Sequence, residues 1–423
     1  MVRPGYKQTE VGEIPEDWDS TKLGYLANIQ RGASPRPINS PVWFDDNSSV
    51  GWLRISDVSK AKKYLYETTQ FLSQKGIENS RYVEQDNLVM SICATVGRPI
   101  LTRLNVCIHD GFVVFKTITV SKEYLYYVLS DIERNWSKHG QTGSQMNLNT
   151  GLINSTSIPL PPIIEEQKAI AKALSDVDEL IVSLEKMIAK KRDIKTATMQ
   201  QFLTGKKRLS GFGGEWSLIQ IENNANLKAR IGWQALTTKE YLNSGAYYLV
   251  TGTDFAGGRV NWSTCHFVDE WRYDQDRNIQ LKKGDVLLTK DGTIGKVGYV
   301  DYLELPATLN SGVFVIRPIN NKFDPLFLYY VLSSRIFDEF IAKITAGSTI
   351  THLYQKDFVN FEFLAPDITE QNEIALMLNA MDVELAHLTG KLDKTKSIKQ
   401  GMMQELLTGR TRLVDVAQLS QVA

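Results

Sequence analysis

Apolar residues recur with helical regularity in two stretches of the chain. Ile170, Leu174, Val177, Ile181, Leu184 and Ile188 stand 4, 3, 4, 3 and 4 positions apart, and Ile374, Leu378, Met381, Leu385, Leu388 and Leu392 repeat that spacing. Such a stripe marks a helix that packs along its length against another helix. Helices are predicted over 163–205 and 366–409. Past Ile188 and Leu392 the apolar positions slip by one, to Ile194, Thr198 and Phe202 and to Ile398, Met402 and Leu406. Pro161 and Pro162 precede the first helix, Pro366 precedes the second, and Gly205 and Gly409 follow the two ends. Proline before a helix and glycine after it are the expected punctuation. Asp367 with Glu370 has the form of a capping box, whereas Ile163 stands at the first helix's equivalent position. The 39 residues from 165 to 203 would make a helix roughly 58 Å long at 1.5 Å per residue. A heptad sustained in both stretches predicts that the helices pair with each other, antiparallel if a pseudo-twofold relates them.

Elsewhere the apolar runs are short. "DNLVMSI" (86–92), "GDVLLTK" (284–290), "GFVVFK" (111–116) and "GVFVIR" (312–317) read as strands bounded by Gly or polar residues. "KEYLYYVLSDIERNW" (122–136) and "DPLFLYYVLSSRIFDEFIAK" (324–343) read as amphipathic helices. Long polar loops, "RGASPRPINSPVWFDDNSSVGW" (31–52) and "GRVNWSTCHFVDEWRYDQDRN" (258–278), intervene. The fold class is therefore mixed α/β (α+β), in two globular units separated by two long coiled-coil helices.

The chain is a duplication. Residues 164–209 laid over 368–413 share 18 identities in 46, and "FLTGKKRL" (202–209) faces "LLTGRTRL" (406–413) at the same offset of 204. The globular units match more loosely. "LYYVLS" recurs at 125–130 and 328–333, and Ser91, Thr95 and Gly97 answer to Thr289, Thr293 and Gly295. Trp18 answers to Trp216, so residues 7–18 resemble what should follow the second helix. The N-terminal segment is expected to dock beside the C-terminal end. The organisation predicted is a domain at 1–160, a helix at 163–205, a second domain at 206–365, a second helix at 366–409 and a tail at 410–423. Repetition outranks every other pattern in deciding a fold. Here the helices have stayed alike while the domains have diverged.

Composition narrows the class without naming a chemistry. At 423 residues the chain is too long for one core. Three cysteines, Cys93, Cys107 and Cys265, without C-x-x-C spacing, point to a reducing cytoplasm. The N-terminal stretch has no apolar signal core, and no run approaches a membrane span. A net charge of zero, 48 against 48, offers no support for a nucleic-acid partner but permits a basic face.

Catalytic motifs are missing. Gly295–Lys296 and Gly205–Lys206 lack the glycine spacing and following hydroxyl of a phosphate loop, and "GTIGKVG" (292–298) lies between strand-like runs, where a turn is expected. The five histidines are scattered, and His266 beside Cys265 has no metal-ligand spacing. No amino-methyltransferase N-P-P or D-P-P motif appears. Asp193 and Lys195 have no upstream partner of the nuclease type.

A diverged domain, a proline, "EEQ" or "TEQ" opening a long helix, and "LTG-x-x-R-L" closing it, all occurring twice, resemble the specificity subunit of type I restriction-modification enzymes. The resemblance covers essentially the whole chain. It implies a non-catalytic reader of double-stranded DNA, in which each domain is a target recognition domain for one half of a bipartite, asymmetric target. It further implies that the helices set the spacer and bind two modification (methyltransferase) subunits, which restriction (motor-nuclease) subunits join. S-adenosylmethionine, ATP and Mg would belong to those partners, with no cofactor and no metal in this chain. The rivals are an enzyme of unrecognised type and a coiled-coil scaffold with two globular arms and no sequence-selective DNA binding.

Phosphate contacts call for Lys and Arg, and base contacts for Arg, Lys, Asn, Gln or Ser on loops. The DNA-contact candidates are Arg31, Arg36, Arg54, Ser144, Gln145 and Asn147 in the first domain. In the second they are Lys228, Arg230, Gln234, Lys290, Ser348 and Thr349. Each has a plain alternative as a solvated loop residue. Partner-binding candidates are identities lying off the apolar stripe: Glu166, Gln167, Met199, Gln200, Glu370, Gln371, Met403 and Gln404. Retention from a common ancestor is the alternative for these. No catalytic residue is assigned.

Overall fold

The computed structural model describes residues 2–136, 148–232, 235–345 and 352–414. The chain forms two compact units, Met1–Leu184 with Lys391–Ala423, and Glu185–Gly390. Among the described residues the helices of eight residues or more are α1 (Lys122–Trp136), α2 (Ile164–Phe202), α3 (Pro325–Leu332), α4 (Arg335–Thr345) and α5 (Ile368–Leu406).

In the first unit a five-stranded sheet runs Asn28–Arg31, Phe112–Lys116, Leu88–Ser91, Pro99–Thr102 and Tyr64–Leu65 in spatial order. Its second strand pairs antiparallel on both sides, Val114 facing Gln30 and Val89. Alternate strand residues point to opposite faces, and here both faces are covered, so the strands read as unbroken apolar runs. Leu88, Met90, Val113 and Phe115 pack under Tyr124, Leu125 and Val128 of α1, and the same cluster takes in Ile170 and Leu174 of α2 and Leu406 of α5. On the other face Val89, Ile100 and Val114 meet Leu53, Val83, Val106 and Ile108 of a three-stranded sheet (Gly51–Leu53, Val106–Ile108, Arg81–Val83).

The second unit repeats this plan. Six strands run Ala225–Lys228, Val313–Pro318, Val286–Thr289, Val297–Tyr299, Arg259–Val260 and Phe255–Ala256, beside a three-stranded sheet of His266–Val268, Tyr247–Val250 and Ala307–Leu309. Val286, Leu288, Phe314 and Ile316 pack with Phe327, Leu328 and Val331 of α3, Ile374 and Leu378 of α5, and Phe202 of α2. The sheet's other face buries Leu287, Val313 and Val315 against Val250, Ala307 and Leu309. The turn after the strand Leu88–Ser91 recurs after Val286–Thr289. Ala94 and Gly292 both take positive φ (57° and 69°), as do Gly97 and Gly295 (82° and 83°).

Each unit contains part of both long helices. In the second unit Lys191 meets Glu384 at 2.7 Å and Lys195 meets Asp382. Position rises along α2 as it falls along α5, so the two segments run antiparallel. In the first unit Lys399 of α5 meets Asp178 of α2 at 2.7 Å, the same pair as Lys195 and Asp382 moved by 204 residues.

These ion pairs correct the expected slip in the apolar stripe. Ile194 and Ile398 are 41% and 48% exposed and lie off the seam. The 3,4 spacing continues unbroken through Lys191, Lys195, Thr198 and Phe202, and through Thr395, Lys399, Met402 and Leu406, all buried or partly buried. Two seam positions of α2 are lysines whose charges are met from α5, so the heptad is intact and only its chemistry changes. Each buried seam Leu or Ile contributes roughly 1.5–3 kcal/mol, whereas a polar seam position costs stability and fixes register.

Candidate nucleic-acid interface and helix clasps

In the first unit Arg31, Arg36 and Arg54 lie near the turn that carries His109 and Asp110. Arg31 ends its strand and donates from Nε to the Asp110 carbonyl at 2.8 Å. Arg36 stands 3.9 Å from the Asp110 carboxylate, and Ser34 Oγ donates to the same carboxylate at 3.0 Å. Arg54 lies close enough to His109 for its charge, after burial, to help hold that imidazole below its ordinary pKa. Burial pushes the Asp110 carboxyl up, but the Ser34 hydroxyl, its own backbone N–H, His109 and Arg31 outweigh it and hold it below the usual range. The chain passes close behind this turn, since a Cβ on Gly32 would collide with the His109 carbonyl. Arg81, which the sequence did not single out, donates to the Arg31 carbonyl at 3.2 Å. Arg31 and Arg36 thus flank the Asp110 turn at one end of the sheet, Arg36 largely exposed, with the Arg54 charge near His109. Guanidinium groups in that setting can take phosphates or the acceptor edge of guanine.

The second unit is differently furnished at the matching end. Lys228 ends its strand and is half-buried, and Lys290 lies with its ammonium 5.4 Å from the Phe314 ring centroid. Next to it Asp291 pairs with the His352 ring, which lies 4.6 Å from Tyr354. Arg230 is not a free cation. It is 1% exposed, and its guanidinium donates to the Leu309 carbonyl (2.9 Å), Thr308 Oγ1 (3.2 Å) and Gln275 Oε1 (3.2 Å). Burial, with the nearby Arg272 charge, lowers its pKa to about 10. Its role is to tie the loop after Lys228 to the strand Ala307–Leu309, so the expectation of a DNA contact there is corrected. Ser144, Gln145, Asn147, Gln234, Ser348 and Thr349 lie outside the described residues.

Four of the eight partner-binding candidates are also internal. Glu166 and Glu370 are 0% exposed. Glu370 takes a forked bond from Arg208 (Nε to Oε1, 2.8 Å), and Glu166 takes one from Arg412, whose Nη2 stands 2.9 Å from Oε2. Arg412 also grips Asp17 with both terminal nitrogens at 2.9 Å. Burial acts against the Arg412 charge, but the bonds to Glu166 and Asp17 prevail and raise its pKa. Gln167 accepts from the Ser121 N–H at 2.9 Å and donates to the Pro161 carbonyl at 2.8 Å; Gln371 does the same with Asp324 (2.9 Å) and Pro366 (2.9 Å). Each "EQ" therefore joins the helix start to its own unit, which accounts for its retention without an outside partner. Asp367 caps α5 by accepting from the Thr369 and Glu370 N–H groups at 2.9 and 3.1 Å. The Glu370 side chain is committed to Arg208 and closes no reciprocal box. Met199, Gln200, Met403 and Gln404 keep some exposed surface. At the N-terminal segment Tyr6 donates to the Gly409 carbonyl at 3.1 Å.

Two like units, each holding part of a paired-helix seam closed by an Arg–Glu clasp, define an internally duplicated α/β protein. The family model "Type I restriction modification DNA specificity domain" matches residues 15–195 and again residues 219–396. The chain belongs to that family. It is 23% identical over 436 residues to the MjaVIII specificity subunit of Methanocaldococcus jannaschii, covering 96% of both chains. It is 22% identical to the EcoBI specificity subunit of Escherichia coli, over 85% of this chain and 78% of that one. The fold is shared with the type I system S subunit from M. genitalium, at TM-score 0.62 and 15% identity over 95% of this chain and 98% of that one. Among the described residues no helix is long and apolar enough to cross a membrane.

Proposed function

We propose that this chain is the non-catalytic DNA-reading component of a type I restriction-modification complex in the cytoplasm. Each domain contacts one half of a bipartite, asymmetric double-stranded target, and the paired helices hold the spacer between the halves. Two modification subunits bind the helical region, and restriction subunits join that core. The chemistry supplied by S-adenosylmethionine, ATP and Mg belongs to those partners. In this reading Arg31, Arg36 and Arg54 contact DNA in the first domain and Lys228 and Lys290 in the second. Ser144, Gln145, Asn147, Gln234, Ser348 and Thr349 supply further contacts, and Met199, Gln200, Met403 and Gln404 face a partner.

The observation that carries the reading is a contrast inside one family pattern. The two helical segments have kept 18 of 46 residues while the domains before them have diverged. Two different sequences to read, and two identical subunits to hold, would produce that contrast.

Methylated adenines mapped genome-wide with and without the gene test it. The expected result is a two-part motif with a fixed gap, lost on deletion, and no methyl transfer by the purified chain alone. Methylation by the isolated chain, or an unchanged methylome on deletion, would overturn it.

A further inference from the structure

Each unit places a cation where its sheet meets its long helices: Lys63 is buried, and Arg259 is partly buried and also stands 3.6 Å from the Asp301 carboxylate. In the first unit the Lys63 ammonium lies 5.2, 5.5 and 4.6 Å from the ring centroids of Tyr64, Tyr126 and Tyr127. It donates to Tyr127 Oη at 3.2 Å and to Ser175 Oγ of α2 at 2.5 Å. Tyr127 in turn donates to Asp178 at 2.8 Å, the carboxylate that also holds Lys399 of α5. In the second unit Arg259 lies 5.2 and 4.6 Å from the rings of Tyr299 and Tyr329 and donates to Asn379 Oδ1 of α5 at 2.8 Å. Tyr330 donates to Asp382 at 2.8 Å, which holds Lys195 of α2. Ser175 and Asn379 are the same helix position, 204 residues apart.

The two cations are not the same strand position. Tyr64 pairs in parallel with Leu101, and Arg259 pairs in parallel with Tyr299, at matching places, although Tyr64–Leu65 is the edge of its sheet whereas Phe255–Ala256 lies outside Arg259–Val260. Arg259 therefore corresponds to Tyr64, and Lys63 is the residue before it. Simple inheritance would have left the cation in register. Instead each diverged sheet delivers one, from a neighbouring position and with a different side chain, to the same point on the helix pair. That pattern follows if the point itself requires a cation.

Apolar packing of α1 or α3 on the long helices resists separation but discriminates weakly between small rotations. A buried or partly buried cation with fixed partners favours one arrangement, because others leave its charge less well paired in a setting of reduced hydration. Arg259 lies in its diverged sheet and Lys63 just before the edge strand of the other, whereas Ser175, Asp178, Asn379 and Asp382 belong to the repeated long helices, with Tyr127 of α1 and Tyr330 of α3 between them. The link therefore runs from the reading part of each unit to its helical support.

We infer that Lys63 and Arg259 are positioning residues that set the angle at which each recognition sheet sits on its helix pair, and so the strictness of the gap between half-sites. This rests on the two-part reading proposed above. Neither residue needs to touch DNA.

The test is the methylome of cells carrying Lys63→Met or Arg259→Met in the full complex, with Tyr127→Phe and Tyr330→Phe as milder variants that remove only the linking hydroxyl. The expected result is unchanged half-site sequences with a roughly tenfold rise in methylation at sites whose gap differs by one base pair, the discrimination one charge-assisted hydrogen bond supplies. A gap as strict as wild type in all four variants would overturn the inference. An altered half-site sequence would also overturn it, by making the cation a base contact. If a methionine variant loses all methylation, the matching phenylalanine variant decides by the same criterion. A wild-type methylome without a two-part motif would remove the proposed function and this inference with it, and is told apart by needing no variant.

Discussion

Arg412 reaches Glu166 across 246 residues of sequence, and the carboxylate it grips has no exposed surface at all. The same guanidinium holds Asp17, so one side chain joins the N-terminal segment, the start of α2 and the chain just past α5. Its repeat, Arg208 on Glu370, shows that the arrangement belongs to the architecture rather than to one accident of packing.

Removing Arg412 leaves Glu166 buried and unpaired, which costs about 3–5 kcal/mol for a buried pair of this kind. Arg412→Ala is expected to loosen residues 10–18 and 164–172 together, seen as faster amide hydrogen exchange in both. Arg412→Lys keeps the charge but loses the fork, and should fall between. Unchanged exchange in the alanine variant would show that the clasp contributes little.

The seam lysine Lys195 and its partner Asp382 form a coupled pair. Lys195→Leu alone is expected to destabilise the second unit by leaving Asp382 without its cation. Lys195→Leu with Asp382→Leu should recover most of the loss, since an apolar pair of similar size often serves as well. A double-mutant cycle by chemical denaturation should give a coupling of about 1–3 kcal/mol. Additive effects would mean the two side chains act independently.

Ala94 holds a left-handed conformation that Gly292 holds at the matching turn. Left-handed backbone costs a non-glycine residue roughly 1–2 kcal/mol, and glycine gives part of that back to the unfolded chain. Ala94→Gly is expected to raise the melting temperature of the first unit slightly. A fall would mean that the methyl group does more for packing than the strain it imposes.

Arg31 and Arg36 line the same end of the first sheet. If each meets a phosphate in the assembled complex, Arg31→Ala and Arg36→Ala should each reduce the slope of log affinity against log salt by about 0.9. A lowered affinity with an unchanged slope would argue for base contact, and no change in either would remove the residue from the interface.

Much of the helical organisation was legible because burial in a helix pair leaves a period in the sequence. The stripe from Ile170 to Ile188 and its repeat from Ile374 to Leu392 place helices that the structure gives as Ile164–Phe202 and Ile368–Leu406. The stripe was misread past Ile188, since Lys191 and Lys195 are acceptable in the seam only because Glu384 and Asp382 lie on the other helix. A hydrophobic pattern carries no information about a partner's charge. Arg230 was misread for a related reason: a loop arginine looks the same in sequence whether its guanidinium meets solvent or the Leu309 carbonyl. Arg31 and Arg54 stand among the sequence candidates, but Arg81 and Asp110 beside them do not, because sheet pairing joins segments with no local signal in common. Lys63 and Arg259 leave no signal in the repeat because they are out of register by one residue.

The two clasps also say something about how such a chain could have arisen. Glu166 stands near the start of α2, and Arg208 lies just past its end, so a helix of 39 residues, roughly 58 Å, keeps them apart. A single repeat therefore owns both halves of a clasp and can never close it on itself. A second copy, lying the other way, would supply the missing half to each. Each clasp in the present chain accordingly takes its carboxylate from one repeat and its guanidinium from the other. Two identical chains in a pair must present identical surfaces, whereas two repeats joined in one chain are free to differ, and here the domains do.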